Sequence, residues 1–165
     1  MKIAVLVSGG VDSSVALHLL KQQGYDVTAF YLKIWLEDEM SFLGECPWEE
    51  DLSYVEKVCA QCDVELNVVP LQKEYHEKVV SYTIDSVKNG LTPNPDMLCN
   101  REVKFGAFYD KYGKDFDKIA TGHYAQIEES DDENVKLKRA PDPVKDQTYF
   151  LAMMSQEQLQ KAMFP

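Results

Sequence analysis

The most constraining feature of this 165-residue chain is the order of three patterns at its start. Residues 2–7 form an apolar, β-branched run that is typical of a buried strand. The loop Ser8–Ser14 follows, and apolar residues then recur at helical spacing until Gly24, where we expect a helix C-cap. A strand that leads into a helix through a tight glycine turn favours an α/β fold built from repeats of that unit.

Strand and helix patterns continue to alternate along the chain. Further strands are predicted at 27–32, 64–69 and 118–121. Helical patterns occupy 52–62, 75–87 and the stretch from 95 through 108. This order predicts an α/β, doubly wound, mainly parallel sheet with helices on both faces.

The remaining segments carry weaker signals. The acidic residues 37–51, interrupted by glycine and proline, predict an exposed loop. Alternating residues on both sides of 130–134 predict a hairpin, and the stretch from Gln147 to the end predicts a helix.

The loop Ser8–Ser14 has the composition of a phosphate-binding turn. Gly9 and Gly10 let the backbone turn tightly and expose N–H groups beside the positive end of a helix, while the serines offer hydroxyl donors. Asp12 would repel phosphate, so we expect it to bind Mg²⁺ or to cap the helix. The loop is neither a Walker loop nor a dinucleotide fingerprint. The alternative is a turn without a ligand, capped by Asp12 or Ser13.

A second candidate site lies at Asn94–Asn100. Pro93 and Pro95 stiffen the backbone and place Asp96 and Cys99 about one helical turn apart at a helix start. The helix dipole would favour the thiolate of Cys99, which makes it a candidate nucleophile, and Asp96 could be a general acid or base. On spacing alone, a capping Asp and a buried Cys is the simpler interpretation.

The other cysteines and aromatic residues give less specific signals. Cys59 and Cys62 have the spacing of half a zinc or redox motif, but they share a helix face with apolar residues, so we expect core packing. The sequence does not decide the role of Cys46. We expect His123 to support the loop that precedes it, with a direct catalytic role as the alternative. We expect Trp35 to be a core or rim aromatic, with stacking against a nucleotide as the alternative.

Charge and hydropathy exclude two classes of protein. The net charge of -11 argues against generic duplex-DNA binding, although a local basic patch could still recognise a particular RNA. No apolar run reaches the length of a bilayer-spanning helix, so no membrane partner is expected. Four cysteines without secretory features favour reduced thiols.

Five motifs, in order along nearly the whole chain, resemble those of the tRNA-specific 2-thiouridylases, a family of PP-loop ATP pyrophosphatases. They are Ser8–Ser14, Asn94–Asn100, Lys104–Phe108, Ala120–Tyr124 and Lys145–Leu151. The resemblance implies a Rossmann-like PP-loop domain, similar to the adenine nucleotide α-hydrolases. It also implies ATP and Mg²⁺ as cofactors, and tRNAs for Lys, Glu and Gln as substrates. The C2 oxygen of the wobble uridine would be adenylated and then replaced by sulfur from a cysteine persulfide.

The resemblance also assigns roles by position. The residues that would hold the nucleotide are Leu6, Val7, Ser8, Gly9, Gly10, Val11, Asp12, Ser13, Ser14, Leu32 and Gly122. Leu32 would line the adenine pocket, and Gly122 would be required because a Cβ there would crowd the adenosine.

The base and the tRNA would meet other residues. Asn94, Pro95 and Asp96 would contact the target base, with Asp96 as acid or base and Cys99 as nucleophile. Lys145, Asp146 and Gln147 would contact the tRNA. A polar helix start is the alternative for these three residues.

One departure from the family bears on activity. The family uses a second cysteine, which carries the persulfide, downstream of the segment that resembles Ser155–Pro165. We therefore expect residues 1–165 to be the catalytic domain of a longer protein, without the family's central part and C-terminal β-barrel and incomplete for sulfur transfer. A persulfide-donor protein would be a partner, in the cytoplasm or an organelle matrix. The alternatives are another PP-loop ligase (lysidine-type or amidotransferase-type) and a nucleotide-binding module without chemistry.

Overall fold

The computed structural model describes residues 1–35, 47–129 and 134–165. A parallel sheet of five strands forms its centre, and a two-stranded antiparallel hairpin lies beside it. The strands are β1 (Lys2–Val7), β2 (Asp26–Lys33), β3 (Glu65–Pro70), β4 (Lys118–Ala120), β5 (Ala125–Glu129), β6 (Val135–Arg139) and β7 (Ala162–Met163). The order in the sheet is β3-β2-β1-β4-β7, and β5 pairs with β6.

Helices connect and cover these strands. They are α1 (Val11–Gln22), α2 (Pro47–Cys62), α3 (Gln72–Tyr75, His76–Val80 and Ser81–Lys88 in succession), α4 (Pro95–Leu98, Cys99–Ala107 and Phe108–Lys111 in succession) and α5 (Gln156–Lys161). The middle segments of α3 and α4 have wider, π-type turns. Short 3₁₀ turns lie at Gly113–Asp115 and Thr148–Leu151.

The alternation of side chains along β1 divides the core into two layers. Ile3, Val5 and Val7 face one side of the sheet and pack with α1 and α2. Ala4 and Leu6 face the other side and pack with α3, α4 and α5. Successive strand residues point to opposite faces, so a strand that is apolar throughout requires cover on both. The predicted doubly wound α/β fold is confirmed.

Two predicted segments were wrong in part. Residues 47–51 begin α2 instead of ending a loop, while the rest of the predicted acidic loop, with Cys46, lies outside the described residues. The C-terminal stretch is not one helix. It is a 3₁₀ turn, then α5 with a capping box at Ser155, then β7, which pairs in parallel with β4. The open edge of β4 needs backbone partners, and Ala162–Met163 supplies them.

The hairpin and the glycine cap at Gly24 were predicted correctly. β5 and β6 pair from Ala125↔Arg139 to Glu129↔Val135, although 130–133 lie outside the described residues. Gly24 and Gly90 both have positive φ at the ends of their helices. Within the described ranges, no helix has the length and apolarity needed to cross a membrane.

Candidate nucleotide and thiol site

The main cavity opens where parallel strands end. It has a volume of about 360 Å³, within the range of small-molecule pockets, and is lined by residues that follow β1, β2 and β4. Within the sheet, β1 has β2 as its neighbour on one side and β4 as its neighbour on the other. The chain therefore continues from β1 in one direction across the sheet and later returns to the opposite side of β1. This is a topological switch point, where ligands of open α/β sheets bind. Of the predicted nucleotide residues, Leu6, Val7, Ser8, Gly10, Val11, Asp12, Ser13, Leu32 and Gly122 line it.

The conformation of the loop explains why Gly9 is required although it does not line the cavity. Its φ is +84°, and a Cβ would lie 2.9 Å from the carbonyl oxygen of Asp51 in α2. The loop is closed by hydrogen bonds from the Ser8 N–H to Ser13 Oγ (3.2 Å) and from Ser13 Oγ to the Gly10 carbonyl (3.1 Å). The loop therefore has a fixed shape that rests against α2.

Two of the three serine hydroxyls donate hydrogen bonds within the loop. Ser13 and Ser14 both donate to the carbonyl of Gly10, so these protons are used within the loop. Helix α1 has Gly10 as its N-cap, without a side-chain capping bond, so neither Asp12 nor Ser13 caps it. Because the N-cap residue Gly10 has no side chain, it cannot cap the first N–H groups of α1. Uncapped N–H groups at the start of a helix can donate hydrogen bonds to a bound anion.

Asp12 makes two contacts across the loop. Its carboxylate accepts a hydrogen bond from the Tyr124 hydroxyl (3.0 Å) and one from the Lys145 ammonium (3.0 Å), which also lies 4.2 Å from the Tyr124 ring centre. The hydrogen bond from Lys145 lowers the pKa of Asp12, with a smaller contribution from Tyr124. The carboxylate is therefore held charged at the mouth of the cavity.

The donor set limits how Mg²⁺ could bind. Asp12 is the one carboxylate among the cavity-lining residues, and the described residues contain no group of three His, Cys, Asp or Glu side chains that could hold a metal. Mg²⁺ commonly takes one or two carboxylates and completes its shell with phosphates and water. The residues present fit an ion that arrives with a nucleotide.

Gly122 lines the cavity and also has a packing role that was not predicted. A Cβ on Gly122 would lie 2.6 Å from the Ser13 nitrogen and 2.6 Å from the carbonyl carbon of Asp12. The clash is with backbone atoms of the first turn of α1, and the predicted role of Gly122 beside an adenosine stays a prediction. Gly122 therefore lets two loops at neighbouring strand ends touch.

His123 supports this contact, as predicted. Its Nδ1 shares a 2.7 Å hydrogen bond with the Thr121 hydroxyl, and its ring meets Phe164 edge-on. Burial, with a smaller contribution from the charge of Lys104, lowers the pKa of His123 to about 3. The imidazole is neutral at physiological pH.

Several lining residues were not predicted. Ile34 and Trp35, which is 41% exposed, follow β2 and line the cavity beside Leu32. The signal available in the sequence was their place after a parallel strand, since such strands all end at one edge. Val103 and Lys104 enter from α4, and this could not be read from local sequence.

A second cavity, of about 290 Å³, adjoins the first. It is lined by Asp96, Cys99, Asn100, Lys104, His123, Gln147 and Phe150. Four of these residues also line the main cavity, namely Cys99, Lys104, His123 and Gln147. The Cys99 thiol therefore lies between the loop after β1 and Asp96.

The start of α4 corrects two expectations. Asn94, not Asp96, caps the helix, with its Oδ1 accepting from the Met97 N–H (3.2 Å), and Pro95 is the first helical residue. Cys99 lies in the second turn, where the helix dipole has little effect. Burial raises the pKa of Cys99, and the opposing effect of Lys104 is smaller. The predicted thiolate is therefore wrong for the protein alone.

The segment Lys145–Gln147 makes more internal contacts than expected. Asp146 accepts hydrogen bonds from Arg139 (2.6 Å) and from the Thr148 amide and hydroxyl, and the bond from Arg139 is the main cause of its pKa of about 2. The Gln147 amide oxygen accepts from the Tyr124 N–H (2.9 Å). Asp146 is thus engaged within the chain, while Lys145 and Gln147 lie beside the cavities.

The CxxC pair divides between two environments. Cys59 is buried in the core beside Val55, as predicted. Cys62 is half-buried, with its Sγ 3.7 Å from His18 Nδ1. The prediction of core packing is therefore right for Cys59 and wrong for Cys62.

Comparisons with known proteins place the whole chain in one family. Residues 1–165 match the family model described as the tRNA methyl transferase HUP domain. The chain is 54% identical over 165 residues to the tRNA-specific 2-thiouridylase MnmA of Parabacteroides distasonis and 49% identical to that of Porphyromonas gingivalis. All of this chain is matched, but only 46% and 45% of those relatives, so it spans less than half of their length.

A solved structure shows the same fold. It is described as a predicted subunit of tRNA methyltransferase from Methanocaldococcus jannaschii, with a TM-score of 0.57 and 19% identity. The match covers 100% of this chain and 67% of that one. At this identity the likeness concerns the fold alone.

Proposed function

Because this chain belongs to the tRNA methyl transferase HUP domain family and its relatives are tRNA-specific 2-thiouridylases, we propose that residues 1–165 are the ATP-binding catalytic domain of a tRNA-uridine 2-sulfurtransferase. The observation that carries the proposal is the position of Cys99, which lines both the cavity of the Ser8–Ser14 loop and the cavity of Asp96. Cys99 would thus lie between a site for the ATP phosphates and a site for the target nucleobase. This position suits a reaction that first activates the C2 oxygen of the uridine and then replaces it.

The first step is adenylation. The backbone amides at the start of α1 hold the triphosphate, and Leu32, Ile34 and Trp35 enclose the adenine. The C2 oxygen of uridine attacks the α-phosphorus, the bond to the β-phosphate breaks, and pyrophosphate leaves with the electron pair. Mg²⁺ bound with ATP beside Asp12 would neutralise phosphate charge.

The second step is substitution by sulfur. The outer sulfur of a cysteine persulfide attacks C2, the C2–O bond breaks, and AMP leaves with the oxygen. The Cys99 thiol passes its proton to Asp96 as its sulfur attacks the inner sulfur, which releases 2-thiouridine and leaves a disulfide for a thiol reductant to cleave. Asp96, which is exposed at the second cavity, exchanges protons with the target nucleobase. Asn94 and Pro95 position that nucleobase.

The finer assignments form part of the proposal. Substrates are the tRNAs for Lys, Glu and Gln, the sulfur comes from a persulfide-donor protein, and the reaction takes place in the cytoplasm. Lys145 and Gln147 contact the tRNA beside the cavities, while Asp146 orders their segment. The second cysteine would lie in the part of the longer protein that this chain does not span.

Pyrophosphate release from ATP tests the adenylation step. The chain is incubated with ATP, Mg²⁺ and tRNA whose wobble uridine is unmodified, with tRNA bearing cytidine at that position as the control. We expect release that depends on the uridine. ATP binding without such release, also in the longer protein, would favour a nucleotide-binding module.

Cys99→Ser separates thiolation from other PP-loop ligase chemistry. In the longer protein we expect this variant to retain uridine-dependent pyrophosphate release and to lose 2-thiouridine formation, measured by nucleoside mass spectrometry. Unchanged thiolation would contradict the assignment of Cys99, and release with a different tRNA set would favour a lysidine-type or amidotransferase-type ligase.

A further inference from the structure

Lys104 lies at the junction of the two cavities. It projects from the π-type segment of α4 and lines both, together with Cys99, His123 and Gln147. None of the assignments above uses it. Among these four shared residues it is the one cation, because His123 is neutral at physiological pH.

The ammonium of Lys104 is held in place by a buried amide. Its Nζ donates to Oδ1 of Asn100 (3.0 Å), and Nδ2 of Asn100 donates to the carbonyl of Phe150 (3.0 Å). Asn100 is 2% exposed, so its amide has a fixed orientation with the oxygen towards Lys104. A lysine ammonium has three N–H donors, and this contact uses one of them.

Among the residues that the structure describes, no carboxylate neutralises the charge of Lys104. Across residues 1–35, 47–129 and 134–165, no Asp or Glu forms an ion pair with it, whereas Lys145 is paired with Asp12. The charge of Lys104 opposes the burial that raises the pKa of Cys99, and it adds to the burial that lowers the pKa of His123, so both groups lie within its field. A half-buried, unpaired cation in a cavity favours an anionic ligand.

We infer that Lys104 binds the α-phosphate of the nucleotide and remains on it while the adenylyl group passes to the substrate oxygen. The inference rests on the proposed function, since it needs a nucleotide in the main cavity. When the uridine O2–Pα bond forms and the bond from Pα to the β-phosphate breaks, Lys104 keeps its proton and balances the charge on the α-phosphate oxygens. The same contact then stabilises the AMP that leaves when sulfur attacks C2.

Calorimetry with AMP and adenosine tests this role without requiring turnover. Lys104→Met should weaken AMP binding about 10-fold or more and leave adenosine binding unchanged, because only AMP carries the phosphate. Lys104→Arg should retain most of the AMP affinity. Lys111→Met, on the same helix but paired with Glu74 outside both cavities, is the matched control and should behave as wild type.

The outcomes separate this inference from the proposed function. If wild type binds neither AMP nor adenosine, the nucleotide site and the proposed function fail. If it binds both and Lys104→Met keeps the wild-type ratio of affinities, only the role of Lys104 is overturned. Lys104→Gln, which retains hydrogen bonding without the charge, serves if the Met variant does not fold, and the same loss of preference for AMP is expected.

Discussion

Replacing Gly122 with alanine would place a methyl carbon 2.6 Å from the Ser13 nitrogen and from the carbonyl carbon of Asp12. Both are backbone atoms of the first turn of α1, so no side chain can rotate to make room. Overpacking in protein interiors typically costs about 1–3 kcal/mol, and contact with backbone favours the upper part of that range. We therefore expect Gly122→Ala to lower the free energy of unfolding by about 2–3 kcal/mol.

The same clash should reduce nucleotide affinity. If the loop gives way, the N–H groups at the start of α1 move, and a shift of a few tenths of an ångström weakens several hydrogen bonds at once. We expect ATP affinity, measured by calorimetry with Mg²⁺, to fall about 10-fold or more. Urea denaturation followed by circular dichroism gives the free energy of unfolding on the same samples.

Gly90→Ala is the matched control because it separates sterics from backbone conformation. Gly90 has φ +73° with nothing within 4 Å of its Cβ position, whereas Gly122 lies outside the positive-φ region. Gly90→Ala should cost about 1–2 kcal/mol from the left-handed conformation alone and leave ATP affinity unchanged. The reasoning about Gly122 is refuted if Gly122→Ala matches wild type in both stability and ATP affinity.

Three further predictions concern titrating groups. Because burial raises the pKa of Cys99, its alkylation by iodoacetamide at pH 7, followed by peptide mass spectrometry, should be slower than that of a free thiol and should rise with pH beyond pH 8.5; a plateau below pH 7 would contradict this. His123 has a folded pKa of about 3 against an unfolded value near 6.5, so protonation favours unfolding, and its contribution to stability is present above pH 6.5 and lost as the pH falls towards 3. Urea denaturation should show that His123→Gln flattens this part of the stability profile, and an unchanged profile would count against the burial argument. Asp146 has a folded pKa of about 2, so Asp146→Asn should be less stable than wild type at pH 7, and the difference should disappear as the pH falls from 4 to 2; an equal difference at both ends would mean that its charge is not involved.

The local features of the fold and site could be predicted from sequence. The strand at 2–7, the turn at Gly9 and Gly10 and the helix after it are encoded within about 20 consecutive residues. The proline-led start of α4 is local as well, because Asn94 and Pro95 cap it without help from elsewhere. Such elements depend on backbone sterics and hydrogen bonds between near neighbours, which residue types largely determine.

Features that depend on distant neighbours were missed or explained wrongly. Ala162–Met163 is a strand because the edge of β4 lies beside it, and nothing in that dipeptide predicts pairing. The contact of Gly122 with the backbone of Asp12 and Ser13, more than 100 residues earlier, was not predicted. The thiolate of Cys99 was inferred from the helix dipole, whereas burial by residues from other elements determines its protonation. Tertiary packing, absent from a sequence pattern, decided each case.

The approach of Gly9 to Asp51 gives α2 an influence on a cavity that it does not line. The loop after β1 rests directly on the backbone of the first turns of α2. A movement of α2 therefore either carries the loop with it or breaks this contact. A nucleotide that fixes the loop must, by thermodynamic reciprocity, also favour the docked position of α2. Conversely, a partner that pulls α2 away from the sheet would remove the support of the loop after β1 and so weaken phosphate binding. Helix α2 therefore offers a route by which events on the surface could regulate access to the nucleotide.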